Sequence, residues 1–187
     1  LETSNDQLLL RPVNQVLVGD SSYNSWDEIS YHRKQYYAAN RDFSFSFKAE
    51  DLEGRSDYKN TFVGISDGNG NQWGVRFSGR YTYASTGAYG DGNLHTFATR
   101  ELGSTVQVDI EVKDNIAYLW VYEDGTPRPD VSQAATLNIG ELGGIEALHT
   151  TIEMEGTSTQ QLAITGWTET GVAIDGPPAE NYYHNDF

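Results

Sequence analysis

Tyr118, Trp120 and Tyr122 alternate along the run Ile116-Ala-Tyr-Leu-Trp-Val-Tyr122, so a strand lines the three rings on one face and puts Ala117, Leu119 and Val121 on the other. Such a row either completes a core buried on both sides or forms a stacking platform for the flat C–H faces of a polar ring ligand. A platform also needs polar groups at its edge. Arg76 and Arg80 share one face of the strand pattern that begins at Gln72-Trp-Gly-Val-Arg-Phe77, and they supply that edge. A concave sheet bearing Tyr118, Trp120 and Tyr122 together with Arg76 and Arg80 is therefore the first candidate site. If the row is core instead, the site moves to the loops around Tyr81, Tyr83, Tyr89 and Asp91.

Other residue types invite other chemistry. Asp109 and Glu111 stand at i and i+2 and share a strand face, as a carboxylate pair for acid–base work would, but they also read as the wet side of an alternating strand. His32-Arg33-Lys34 beside Tyr31, and Arg76 with Arg80, hold the base and cation types of an elimination site without forming a pattern. Asp67, Asn69 and Asn71 alternate with glycines, so their oxygens can converge on a hard cation; calcium is the cofactor expected there. The same dipeptides are preferred hairpin turns and need no metal. Asp91-Gly-Asn93 and Glu123-Asp-Gly125 carry the same two explanations. There is no cysteine, no Gly-x-Ser-x-Gly elbow and no nucleotide loop, and none of the four histidines has a partner at metal-ligand spacing.

The elements that must position these residues are strands. Val106-Gln-Val-Asp-Ile-Glu-Val112 and Asp42-Phe-Ser-Phe-Ser-Phe-Lys48 alternate apolar with polar, and Thr61–Ser66 leads through Asp67-Gly-Asn-Gly-Asn71 into a return strand. Further strands are expected at 7–10, 15–18, 96–100, 135–139, 149–155 and 162–168. Tyr81-Thr-Tyr83 and Tyr89 flank a Gly-rich loop, and residues 20–40 read as a strand pair or one short helix. Short strands spaced by turns predict an all-β sandwich of two antiparallel sheets, with Phe43, Phe45, Val75, Phe77, Val108 and Ile110 buried between them. Trp73 and Trp167 read as core. Residues 1–175 fit one domain, and 176–187 read as a tail or linker.

The net charge of −15 disfavours nucleic acid and anionic membranes as partners through bulk electrostatics. Acidic, Lys-poor surfaces suit salty or calcium-rich surroundings, where counter-ions screen self-repulsion. No stretch has the length of an apolar membrane span, and the chain reads as a monomeric module within a longer, secreted or cell-surface protein.

The run Tyr89-Gly-Asp-Gly-Asn-Leu-His-Thr-Phe97, a strand to Arg100, and then Val108 to Gly125 with its acidic-glycine turn resemble the middle of concanavalin A-like and laminin G-like jelly rolls, over residues 40–170. The resemblance implies a jelly-roll sandwich in a superfamily of lectins, carbohydrate-binding modules, adhesin domains, glycoside hydrolases and polysaccharide lyases. Its glucanases place two or three acidic residues at alternate positions on one strand; here the third falls on Lys113. Its alginate lyases carry Arg-rich and Gln-x-His strand motifs that this sequence lacks. The expected function is thus a non-catalytic carbohydrate-binding module that holds glycan by stacking and polar contacts. The alternative is a calcium-dependent adhesin domain with a peptide or glycan ligand, and an active polysaccharide lyase stands third.

Overall fold

The computed structural model describes residues 2–4, 7–10, 28–38, 42–53, 60–66, 71–78, 80–86, 94–97, 103–139, 147–155, 161–171 and 173–174. Among them the regular structure is β-strand, broken by 3-10 turns such as Val131–Gln133. The strands are β1 (Glu2–Ser4), β2 (Gln7–Leu10), β3 (Glu28–Ala38), β4 (Phe43–Glu53), β5 (Asn60–Ser66), β6 (Gln72–Ser78), β7 (Tyr81–Ser85), β8 (His95–Thr96), β9 (Thr105–Lys113), β10 (Ile116–Glu123), β11 (Ala135–Asn138), β12 (Ala147–Glu155), β13 (Gln161–Gly171) and β14 (Ala173–Ile174). They form two sheets, ordered β1-β2-β13-β4-β9-β10-β11 and β14-β3-β12-β5-β6-β7-β8, with every neighbouring pair antiparallel.

Alternation along the strands builds the core. Phe43, Phe45 and Phe47 of β4, Val106 to Val112 at every second position of β9, and Ala117 and Leu119 of β10 meet Val63, Ile65, Trp73, Val75, Phe77 and Ala84 of the second sheet in one buried cluster. The all-β sandwich and its six expected core residues are present, and Trp73 is fully buried. A hairpin of Asp114 and Asn115, both at positive φ, joins β9 to β10 and sets Lys113 opposite Ile116. Asp and Asn tolerate that left-handed geometry, which suits the twist of the strands they connect.

Trp167 reaches the core through a break in the ladder. The register of β13 against β4 shifts between Thr165 and Thr168, and Gly166 sits there at φ +61. Without the bulge, Trp167 would share a face with Thr165, which lies opposite Lys48. With it, the indole stacks on both Phe45 and Phe47 at 5.3 Å between ring centroids.

Three element assignments change. Residues 28–38 form one long strand where a strand pair or helix was expected, since β12 and β14 pair with its two sides. Tyr81–Ser85 is a strand of the second sheet, held in register with β6, and not the flank of a loop. Strand β8 covers His95–Thr96; residues 98–100 lie outside the described residues, as do 15–18, 20–27 and the 176–187 tail.

Candidate functional site

The row Tyr118, Trp120 and Tyr122 lies on the outer face of the first sheet, opposite in register to Glu111, Asp109 and Gln107. It is not an open platform. Trp120 is only 3% exposed because the chain after β10 folds back over it. The Arg128 guanidinium lies 4.4 Å from the indole centroid, and Nε1 of Trp120 reaches the Asp130 carbonyl oxygen at 3.5 Å. Arg128 also pairs with Glu111 at 3.3 Å. Tyr118 stacks on Trp120 at 5.9 Å and is half-buried.

The neighbouring polar groups are satisfied within the same face. The Tyr122 hydroxyl donates to Asp109 Oδ2 at 2.8 Å, and Gln107 Nε2 donates to Asp109 Oδ1 at 3.0 Å. Burial, then the hydrogen bond to Asp109 and its charge, push the Tyr122 phenol up to about 12. Lys48 pairs with Asp124 at 2.8 Å. Asp109 and Glu111 are therefore tied to Tyr122, Gln107 and Arg128 on the wet side of the strand, as the solvated-face reading requires.

Arg76 and Arg80 do not join that row, which corrects the first candidate site. They belong to the second sheet, on the far side of the core, because β6 contributes its Trp73, Val75 and Phe77 face inward. Nor do they share one strand: β6 ends at Ser78, and Arg80 lies in the turn before β7.

On the outer face of β5, β6 and β7 a different constellation forms. The register sets Phe62, Arg76 and Tyr83 in one row across the strands, with Ser78 opposite Tyr81 beside it. The Arg76 guanidinium stands 5.1 Å from the Tyr83 ring centroid, Tyr83 stacks on Tyr81 at 6.1 Å, and Arg80 stands 5.2 Å from the Tyr81 ring. Arg80 Nη2 also donates to the Tyr81 hydroxyl at 3.0 Å. The result is a ladder of cation, ring, ring, cation. It grades from buried to open: Arg76 is 7% exposed, the two tyrosines are half-buried, and Arg80 is exposed.

The next row of this face is centred on two glycines, and the fully buried Phe62 ring lies over Gly64, 2.6 Å from where a Cβ of that glycine would be. Gly64 and Gly74 are opposite each other in β5 and β6, and a Cβ on either would fall within 2.4 Å of a backbone atom, so both positions admit glycine alone. Ser85 continues the row on β7 and Thr151 on β12, while β12 sets His149 opposite Ser66 and Glu153 opposite Phe62.

Tyr89, Asp91, Asp67 and Asn69 lie outside the described residues. Asn71, half-buried, directly precedes β6. Among the described residues no three acidic or histidine side chains gather as a metal site would need. Sequence reasoning missed Arg128 as the cap on Trp120. Its signal was the Thr-Pro-Arg-Pro run after the Asp124-Gly125 turn, where two prolines stiffen the chain that presents Arg128.

No family model matches the sequence, and no curated protein matches it. Solved structures do resemble it in fold. The product complex of a tyrosine-to-phenylalanine variant of the family 7 alginate lyase A1-II′ superposes with a TM-score of 0.58 at 14% identity, over 90% of this chain and 84% of that one. Alginate lyase AlgAT5, from polysaccharide lyase family 7, gives 0.57 at 13% identity, over 88% and 76%. Peanut lectin with a 9mer peptide gives 0.52 at 10% identity, over 90% and 97%. The fold is the concanavalin A-like jelly roll. That likeness carries the architecture expected from the turn and strand pattern, and the site rests on the residues of this chain.

Proposed function

We propose that this jelly roll is a glycan-binding module whose platform is the Tyr81–Tyr83 pair on the outer face of β6 and β7. The observation that carries the reading is the stacked, half-buried Tyr81–Tyr83 pair flanked by Arg76 and Arg80. A sugar offers apolar C–H faces rimmed by hydroxyls, and half-buried tyrosines with a guanidinium at the edge match both features. The aromatic row of β10 is the weaker platform, since a ligand there must first displace Arg128 and uncover Trp120. In this reading residues 1–175 act as one binding domain that works outside the cell or at its surface. Calcium at Asp67 to Asn71 belongs to the same reading as a structural ion.

A second reading, a polysaccharide lyase, is favoured by the alginate lyases among proteins of this fold and by Tyr83 beside Arg76. A phenol and a guanidinium are a base and a carboxylate-neutralising cation of the kind that elimination next to a uronate carboxylate needs.

Binding of defined oligosaccharides by calorimetry, with Tyr81→Ala and Tyr83→Ala compared with Trp120→Phe, tests the module. The expected result is a loss of about tenfold or more in affinity for the β7 variants with Trp120→Phe unaffected. The reverse pattern returns the site to β10. Release of an ultraviolet-absorbing unsaturated uronate end from alginate would establish the lyase; its absence in a protein that binds leaves the module.

A further inference from the structure

The chain supplies its own occupant for the aromatic row of β10. The Arg128 guanidinium lies 4.4 Å from the Trp120 ring centroid and 3.3 Å from Glu111 Oε2, and the Asp130 carbonyl oxygen accepts the indole N–H at 3.5 Å. A sugar bearing an ammonium group would bring the same set to these residues: a face for the indole, a cation for the carboxylate and polar groups at the edge. We infer that Arg128 acts as an internal ligand, a specificity-determining residue that blocks a second, latent face at Tyr118 and Trp120 matched to amino sugars. This face lies on the other sheet, so its ligand is independent of the Tyr81–Tyr83 reading.

The cover is light and keeps its own shape. In the 124–134 segment between β10 and β11, Gly125 to Arg128 and Asp130 to Gln133 are exposed, yet Trp120 beneath them is buried. The Arg128 and Glu111 side chains are 47% and 35% exposed, and ion pairs so open to water hold little. The indole hydrogen bond is at the long limit of its kind. Each end of the segment is closed by its own turn: the Thr126 amide and hydroxyl both donate to the Glu123 carbonyl, at 3.2 and 2.7 Å, and the Gln133 amide donates to the Asp130 carbonyl at 2.9 Å. Shortening Arg128 therefore removes the occupant and leaves the turns and the pairing of β10 with β11 in place.

What lies beneath is already ordered. Tyr118 and Trp120 stack at 5.9 Å with their rings 20° apart, and the Tyr122 hydroxyl is held by Asp109 at 2.8 Å, so a ligand that takes the place of Arg128 meets a preset face. Truncating Arg128 takes the cation from Glu111 and uncovers the indole together. A neutral sugar can stack on the ring, whereas an ammonium-bearing sugar stacks and pairs with Glu111 in one step. The net charge of −15 draws such a cation toward the molecule. Filling the face from within is how the chain excludes that ligand.

The test is an NMR titration that follows the Trp120 indole N–H, assigned by its loss in Trp120→Phe, with a glucosamine oligomer and its fully N-acetylated counterpart of equal length. In the parent this resonance is expected to stay in place with both. In Arg128→Ala it should shift with the glucosamine oligomer at an affinity about fivefold or more above that for the acetylated one, and adding Glu111→Gln should remove the preference. If Arg128→Ala melts far below the parent, Arg128→Gln, which keeps a polar stem without the charge, carries the same comparison with the same expected results. A Trp120 resonance that stays unmoved in the folded Arg128 variant, equal affinity for the two oligomers, a preference that survives Glu111→Gln, or a parent that binds at Trp120 as tightly as the variant overturns the inference. Loss of binding at Tyr81 and Tyr83 bears on the β7 reading alone.

Discussion

Trp120 shows how one contact decides between two roles for a side chain. Periodicity places it on the outer face of its sheet, and only the returning chain, through Arg128 and the Asp130 carbonyl, buries it there. Trp120→Ala should therefore cost roughly 3–5 kcal/mol of folding stability, whereas Arg128→Ala removes an exposed cation–π contact worth about 0.5–1 kcal/mol. Denaturant unfolding of the two variants measures both, and a Trp120→Ala protein as stable as the parent would contradict the burial. Tyr122 offers a second check. Its phenol, pushed up from about 10 to about 12 by burial and Asp109, keeps its proton in the folded chain at pH values where the unfolded chain has lost it. Stability from this residue is thus fully present below pH 10 and declines as pH rises toward 12. Tyr122→Phe should flatten that decline, and ultraviolet titration of the parent should show a late-titrating component that the variant lacks.

At the scale of elements, the strands were legible because β4 and β9 alternate cleanly, and the Asp114-Asn115 turn is marked by its residue types. Strand β3 was not legible, since its polar and aromatic residues follow no single period and only its pairing with β12 and β14 makes it a strand. The same holds for the site. The types of Arg76, Arg80, Tyr81 and Tyr83 could be read, but β-sheet register, set by β6 against β7, is what joins them and what separates them from Trp120. Glycine at 64 and 74 belongs to this scale as well. A side chain at either must push into the backbone of the adjoining strand, so Gly74→Val should unfold the β5–β6 pair or lower the melting temperature sharply. A well-folded Gly74→Val protein would show that the two strands have room to part.

The whole molecule carries its charge as a liability that surroundings must screen. Twenty-seven acidic side chains stand against 12 basic ones; among the described residues Lys48 pairs with Asp124 and Arg128 with Glu111. Added monovalent salt should raise the melting temperature by screening alone. Calcium acting at Asp67 to Asn71 should raise it further by binding the folded state, at matched ionic strength and reversibly with chelator. Equal melting curves in calcium and in salt of the same ionic strength would remove the calcium site and leave the screening.

The central claim, that ligand is held on the outer face of β6 and β7 and not on β10, is tested most directly by an amide NMR titration with a glycan that binds. Shifts are expected at Gly74 to Ser78 and Tyr81 to Ser85, with Ile116 to Glu123 and the Arg128 segment unmoved. Shifts centred on Tyr118, Trp120 and Arg128, with β7 silent, would contradict it.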